Sequence, residues 1–329
     1  MSLLEVRDLS VQLQTKTGFA TAVDRLSFTV SEGEILGIAG ESGSGKTMTA
    51  LTLLGLLPQH AKVSGSVKFN GQELVGLSSK EWQKVRGAQI AMVFQDPMTS
   101  LHPMLSVKVQ MTEHMVTHLG ISQQQALVDA EELLADVRIP DPKKALNSYA
   151  GQFSGGMRQR ICIAMALACK PKLLLADEPS TALDVTVQAG ILTLLDRLRQ
   201  EHQLSIIFIT HDLGVLSSIT NKLLVLYAGR ETESGATSTI LQRPRHPYTQ
   251  GLLDSLPQPD STEKLLKSIA GFPPELGKQP AGCAFAERCK FAETKCSGSE
   301  INPTFLGDQH KFICAVDPFA ESALRGVKS

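Results

Sequence analysis

The stretch GESGSGKT, Gly40 to Thr47, follows the apolar run EILGIAG and opens a segment, Thr47 to Leu57, with good helix formers and apolar spacing. The spacing G-x-x-x-x-G-K-T between a buried strand and a helix confines the chain to an α/β architecture built around a phosphate-binding turn. Glycines let backbone N–H groups converge on phosphate oxygens, and the helix N-terminus adds a favourable dipole. Lys46 reaches the β and γ phosphates, and the Thr47 hydroxyl is a ligand for Mg2+. The whole loop, Gly40, Glu41, Ser42, Gly43, Ser44, Gly45, Lys46 and Thr47, is the first candidate site.

The rest of the chain supplies the frame. LLEVRDLSVQL alternates apolar and polar residues, LSFTV follows, and SGSVKFNGQEL contains the turn pair Asn70-Gly71, so strands dominate the N-terminal third. QIAMVFQ is a further buried strand. From about 98 to 160 the pattern turns helical, in VKVQMTEHMVTHL, QQQALVDAEELLADVRI and GGMRQRICIAMALAC, which reads as a helical insertion. PKLLLADEP and SIIFITHD then return as strands with the helix VTVQAGILTLLDRLRQEH between them, the βαβ alternation of a parallel sheet. Beyond about residue 236 the chain is rich in proline, glycine and cysteine. Two domains are expected, 1–235 and a C-terminal extension, 236–329.

Composition narrows the function classes. A chain of 329 residues with 42% hydrophobic and 20% charged residues is that of a soluble globular protein with a sizeable core. A net charge of -1 gives no general attraction to nucleic acid or acidic lipid, so no nucleic-acid partner is expected. No apolar run approaches the roughly 18 to 20 residues a bilayer requires, and the first residues lack a secretory pattern. The expected compartment is the cytosol, with any membrane link made through a partner. Six cysteines there are thiols or metal ligands rather than disulfides.

LLLADE completes the phosphate loop's chemistry. An apolar strand ending in Asp177 places a carboxylate for magnesium, and Glu178 follows where it can orient an attacking water. Gln95 and His211 each stand at the C-terminal end of a predicted strand, the edge where parallel sheets carry their sites. The order Gly40–Thr47, Gln95, SGGM, LLLADEP, TALD and His211 resembles the nucleotide-binding subunit of an ABC transporter, over about residues 3 to 235. That resemblance implies a P-loop NTPase with a RecA-like core, an antiparallel β subdomain and a helical subdomain at about 98–160. It implies ATP and Mg2+, the metal held by Thr47, Gln95 and Asp177, with Glu178 as catalytic base and His211 as the switch at the γ-phosphate. It makes Asp184 the D-loop acid and Ser154, Gly155 and Gly156 the signature loop, which covers ATP held by the phosphate loop of a second chain. Met157 and Phe153 depart from the family's usual glutamine and leucine. Phe19 is either a core aromatic or the ring that stacks on adenine.

The tail carries a second resemblance. Cys162 and Cys169 lie among apolar residues of one predicted helix and are read as core. Cys283, Cys289, Cys296 and Cys314 are separated by 5, 6 and 17 residues, enough thiols for a metal site but without the close pairs usual for zinc. RPRHPYTQGLL followed by this cysteine pattern resembles the C-terminal extension of dipeptide and oligopeptide importer ATPases. The resemblance implies a [4Fe–4S] cluster on the four cysteines, structural rather than redox-active, with zinc and free thiols as alternatives. RHPYT is either a brace or a plain linker. The partners implied are a second ABC ATPase, two membrane permeases and, through them, an extracytoplasmic peptide-binding protein, with the chain on the cytoplasmic face of the inner membrane. Nickel or cationic-peptide uptake, or a soluble ABC ATPase acting on nucleic acid or the ribosome, are the alternative readings.

Overall fold

The computed structural model describes residues 2–179, 184–256, 268–307 and 310–320. These divide into two compact units: residues 2–30, 35–75 and those from 209 onward form the first, and residues 31–34 and those within 76–208 form the second. The chain therefore enters the second unit in mid-sequence and returns.

The first unit opens with β1 (Ser2–Thr15), β2 (Gly18–Ser31), β3 (Ile35–Ala39), α1 (Lys46–Leu53), β4 (Lys62–Phe69) and β5 (Gln72–Glu73). Strands β2, β1, β4 and β5 make a four-stranded sheet in that order. The β4–β5 hairpin turns at Asn70 and Gly71, both with positive φ, 49° and 79°, the conformation a two-residue hairpin demands and that Asn-Gly adopts readily. All five residues of β3 are buried, as a continuous apolar run in a parallel sheet requires.

The second unit follows with α2 (Ser79–Val85), β6 (Ile90–Val93), α3 (Pro97–Ser100), α4 (Val107–Leu119), α5 (Gln123–Asp136), α6 (Pro142–Leu146), α7 (Gly155–Leu167), β7 (Leu173–Asp177), α8 (Val185–His202) and β8 (Ser205–Thr210), the last strand crossing back into the first unit. Strands β8, β7 and β6 are neighbours in that order, β6 and β7 running parallel. Between β6 and β7 the regular elements are all helices, joined by short loops. Gly120 closes α4 in the left-handed conformation at φ 66°, a C-terminal stop available to glycine at no steric cost. Ser122 caps α5 by accepting from the Gln125 amide at 3.2 Å.

The chain then completes the first unit with α9 (Leu213–Ile219), β9 (Lys222–Tyr227), β10 (Arg230–Ala236), α10 (Thr237–Gln242), α11 (Pro247–Asp254), β11 (Thr304–Leu306) and β12 (His310–Phe312). Here the strand order is β11, β12, β10, β9, β3, with β3 and β9 parallel and the others antiparallel. The expected border near 235 falls at the end of β10, inside this unit, and β12 pairs with β10 through Glu233 opposite Phe312. Tyr227, Tyr248 and Phe285 join β9, α11 and the cysteine segment in one aromatic cluster, with ring centroids 4.7 to 5.3 Å apart. Pairs at such distances add about 0.5–1.5 kcal/mol each beyond their buried area.

A buried carboxylate ties these pieces. Glu233 is 0% exposed; it accepts from the amides of Arg245 at 2.8 Å and His246 at 3.0 Å and pairs with His310 Nε2 at 2.7 Å. Removing it leaves two amides and an imidazole in the interior without their acceptor. Glu233→Ala is expected to lower unfolding stability by about 2–4 kcal/mol, and Glu233→Gln, which keeps one oxygen, by less; urea unfolding of the two variants beside the parent checks this.

Candidate functional site

In the first unit the phosphate loop links β3 to α1. Gly40 lies at φ 150°, and a Cβ there would stand 2.3 Å from the Leu226 carbonyl oxygen and 2.6 Å from Ser44 Oγ, so only glycine fits the turn. Gly45 caps α1 in the left-handed region at φ 99° and brings no side chain over the first helical amides. Lys46 is 6% exposed, and its ammonium donates to the carbonyls of Gly40 at 2.6 Å and Glu41 at 2.9 Å. Thr47, Ser42 and Gly43 are exposed, Ser44 is buried. The loop thus presents exposed backbone and a hydroxyl at a helix N-terminus, with a cation held among its carbonyls, an arrangement suited to polyphosphate.

His211 follows β8 in the same unit and is exposed, beside Asp212, which caps α9 by accepting from the Gly214 amide at 2.8 Å. Phe19 is 44% exposed, with the Lys62 ammonium 3.8 Å from its ring centroid. It is therefore no core residue.

In the second unit Asp177 ends β7 with 5% exposure, and Gln95 lies two residues beyond β6. Gln95 Nε2 donates to Glu178 Oε2 at 3.0 Å, so the structure brings these two predicted residues together. Glu178 has φ 46°, a left-handed backbone that costs a non-glycine residue about 1–2 kcal/mol. Ser154 caps α7 by accepting from the Met157 amide at 3.4 Å. Ser154 and Gly155 are exposed and Gly156 is half-buried, and first-turn amides have no partner within their own helix. Phe153 is buried just before the cap and anchors this turn. Asp184 caps α8, accepting from the Val187 amide at 2.9 Å. Ser180 to Leu183, which include most of the TALD motif, lie outside the described residues.

Cys162 and Cys169 are buried as expected, and burial pushes the Cys162 thiol up to about 12. Cys283, Cys289, Cys296 and Cys314 line one cavity of about 10 Å3 together with His246. Burial first, and then the neighbouring thiols, push Cys283 up to about 11, and burial raises Cys289 and Cys314 as well. Among the described residues no group of three or more His, Cys, Asp or Glu is placed to hold a metal ion. What the geometry establishes is four free cysteines among the residues lining one small cavity. Of the two readings of RHPYT, the brace is the one observed. Arg245 pairs with Asp317, Nε to Oδ1 at 2.8 Å, and the Tyr248 hydroxyl accepts the Glu41 amide at 2.8 Å. Sequence reasoning missed Tyr248 and Arg288 as neighbours of the phosphate loop, because contacts 207 and 247 residues apart leave no trace in local pattern.

A glycine-rich loop opening a helix and strand-end acids define a P-loop ATPase, and known proteins refine that class. A family described as ABC transporter matches residues 23–181, and one described as the oligopeptide/dipeptide transporter C-terminal region matches residues 232–296. The oligopeptide transport ATP-binding protein OppD of Haemophilus influenzae is 50% identical over 92% of this chain and 94% of its own length. The dipeptide transport ATP-binding protein DppD of Lactococcus lactis is 46% identical over 92% of this chain and 88% of its own. Among solved structures, the dimeric ATP-binding cassette MJ0796 in a post-hydrolysis state with ADP and Pi superposes with a TM-score of 0.64 at 25% identity, over 71% of this chain and 98% of that one. The chain belongs to the ABC transporter ATP-binding family, in the branch that carries the oligopeptide/dipeptide transporter C-terminal region. Its fold is that of the ABC cassettes, and it is an ATPase of that class.

The backbone at Glu178 offers a test of whether strain is kept for chemistry. Glu178→Gly is expected to leave unfolding stability unchanged or raise it by up to about 1 kcal/mol, while steady-state ATP hydrolysis is lost. Urea unfolding and phosphate release on the same preparation check both halves.

Proposed function

We propose that the chain is the energy-coupling subunit of a peptide importer, peripheral on the cytoplasmic face of the inner membrane, working with a second ABC ATPase and two permeases fed by an extracytoplasmic binding protein. The observation that carries the two-chain reading is the exposed start of α7. Ser154 and Gly155 offer anion donors at a helix N-terminus, yet no lysine accompanies them, as suits a loop that covers ATP held by another chain. The dimeric cassette among the structural relatives is consistent with this. Peptide as cargo rests on relatives named for oligopeptide and dipeptide transport and on the matching C-terminal region. The nickel reading and the soluble-ATPase reading have no comparable support.

The roles follow the chemistry of phosphoryl transfer. Lys46 and the loop amides hold the β and γ phosphates, and Phe19, exposed and free of the core, stacks on adenine. A hydroxyl at the start of a helix and a buried strand-end carboxylate are hard oxygen donors, which fits Mg2+ on Thr47, Asp177 and Gln95; when bound, the ion neutralises phosphate charge. Glu178, held by Gln95, accepts a proton from the attacking water as the oxygen forms its bond to the γ phosphorus and the bond to ADP breaks. His211 contacts the γ-phosphate, and Asp184, besides capping α8, lies at the interface of the two ATPases. The Ser154 hydroxyl with the Gly155 and Gly156 amides stabilises the partner's transferring phosphate, a task that leaves Met157 dispensable.

The four cysteines of the tail are read as ligands of a [4Fe–4S] cluster. What supports the reading is the donor chemistry, four cysteine sulfurs among the residues that line one small cavity, although as placed they do not form a ready metal-binding group; the cluster would staple a segment with few buried apolar residues rather than carry electrons.

Two measurements test these readings. Tagged chain purified from native membranes is expected to bring with it a second ABC ATPase and two permeases, and its deletion to abolish uptake of a labelled tripeptide; recovery with ribosomes and undiminished uptake would sink the importer reading. Anaerobically purified protein is expected to hold about four iron and four sulfide per chain, falling to near zero in Cys289→Ser, whereas an iron-free parent would reject the cluster.

A further inference from the structure

Glu41, the second residue of the phosphate loop, is gripped at three points within the first unit. Its carboxylate accepts two bonds from Arg288, Nη1 to Oε2 at 2.6 Å and Nη2 to Oε1 at 3.1 Å. Its amide donates to the Tyr248 hydroxyl at 2.8 Å, and its carbonyl accepts from Lys46 at 2.9 Å. Arg288 immediately precedes Cys289, and its side chain is 6% exposed. Its remaining donors are also engaged: Nε to the Ala270 carbonyl at 2.9 Å, Nη2 to that of Ile269 at 3.2 Å, and Nη1 to the Tyr227 hydroxyl at 3.1 Å. A guanidinium has five N–H donors, and these five bonds use them. The side chain has one satisfied position, and the Glu41 carboxylate is held in it.

This placement matters because of charge. Glu41 puts an anionic side chain on a loop whose task is to receive a polyphosphate. Unpaired, that carboxylate would repel the ligand and would be free to turn; paired with two parallel bonds it is both cancelled and fixed. We propose that Arg288 is a positioning residue for the phosphate loop, acting through Glu41, so that the cysteine segment is part of the nucleotide site and not merely attached beside it. The inference rests on the reading of Gly40–Thr47 as the ATP phosphate loop.

The test is binding of Mg–ATP to the full chain and its variants by titration calorimetry, with thermal unfolding to confirm that each is folded. Arg288→Ala is expected to raise the Kd about tenfold or more. Adding Glu41→Gln to it is expected to recover at least about threefold of that loss, because the exposed carboxylate is gone. A purely structural Arg288 would leave the double variant as weak as the single one, and that result would overturn the proposal. If Arg288→Ala does not fold, Arg288→Lys carries the test: it keeps the charge but cannot form the two parallel bonds, and its Kd is expected to rise about threefold. An unchanged Kd in the lysine variant would equally overturn the proposal. Lys46→Ala separates the two readings. Parent protein that binds no ATP, or a Lys46→Ala variant that binds it normally, defeats the phosphate-loop assignment; a normal parent, a defective Lys46→Ala and unaffected Arg288 variants defeat only the role of Arg288.

Discussion

The carboxylate of Glu233 is the contact on which the first unit's arrangement depends. It accepts the amides of Arg245 and His246 at 2.8 and 3.0 Å, where the chain leaves α10 and begins α11. His246 is the residue before α11, and its Nδ1 accepts the Tyr248 amide at 3.1 Å, which sets the helix's first turn. Tyr248 then reaches the Glu41 amide of the phosphate loop. A single buried acid on β10 thereby fixes the start of a helix, and the helix fixes a loop more than 200 residues earlier. Burying an ionised group is costly unless its oxygens are used; here two amides and an imidazole use them.

The second unit is organised differently. Its polar residues sit at the ends of β6 and β7 and at the start of α7, places where a parallel sheet and a helix expose backbone and side-chain donors. Asp177 is buried by the strand that carries it, whereas Gln95 and Ser154 are exposed. Glu178 is held by Gln95 and sits in a left-handed backbone conformation that a residue with a Cβ adopts only at a cost. Strain at a residue proposed as base is what one expects where position has been favoured over local stability. The unit offers donors for phosphate at α7 but no lysine beside them in sequence, which is why the reaction is proposed to be shared between two chains.

Much of this was legible in the sequence, and the reason is periodicity. The runs VKVQMTEHMVTHL and VTVQAGILTLLDRLRQEH coincide with α4 and α8, because segments this long carry a helical apolar spacing, and a glycine closes the first of them. Asn70-Gly71 declared its hairpin by the same local logic. The strands β11 and β12 were invisible, since three residues contain no period to read. Phe19 was ambiguous because an aromatic near a strand start looks alike whether buried or exposed. Asp184 was read for chemistry, and its helix cap went unnoticed. The grip of Tyr248 and Arg288 on Glu41 was out of reach, because it depends on tertiary contact alone.

The tail explains why arginine recurs where the C-terminal segment meets the rest of its unit. Among the large apolar side chains described between 268 and 320 few are buried, Phe285 and Phe312 being in the core while Phe272, Leu276, Phe305 and Leu306 are exposed, so the segment is not held by burial alone. It is held by Arg288 on Glu41, by Arg245 on Asp317, by Arg230 on Asp24 with two further bonds to the Pro280 and Gly282 carbonyls at 2.9 and 3.0 Å, and by Arg25 on Glu300. Arginine suits this work because a planar fork makes two parallel bonds to one carboxylate and keeps its charge at any relevant pH. The exposed pair, Arg25 with Glu300, contributes little and weakens with salt. The buried Arg288 is shielded from that screening, and its loss would strand a carboxylate and three backbone or hydroxyl acceptors at once. Of the four, it is therefore the one whose removal is felt at the phosphate loop.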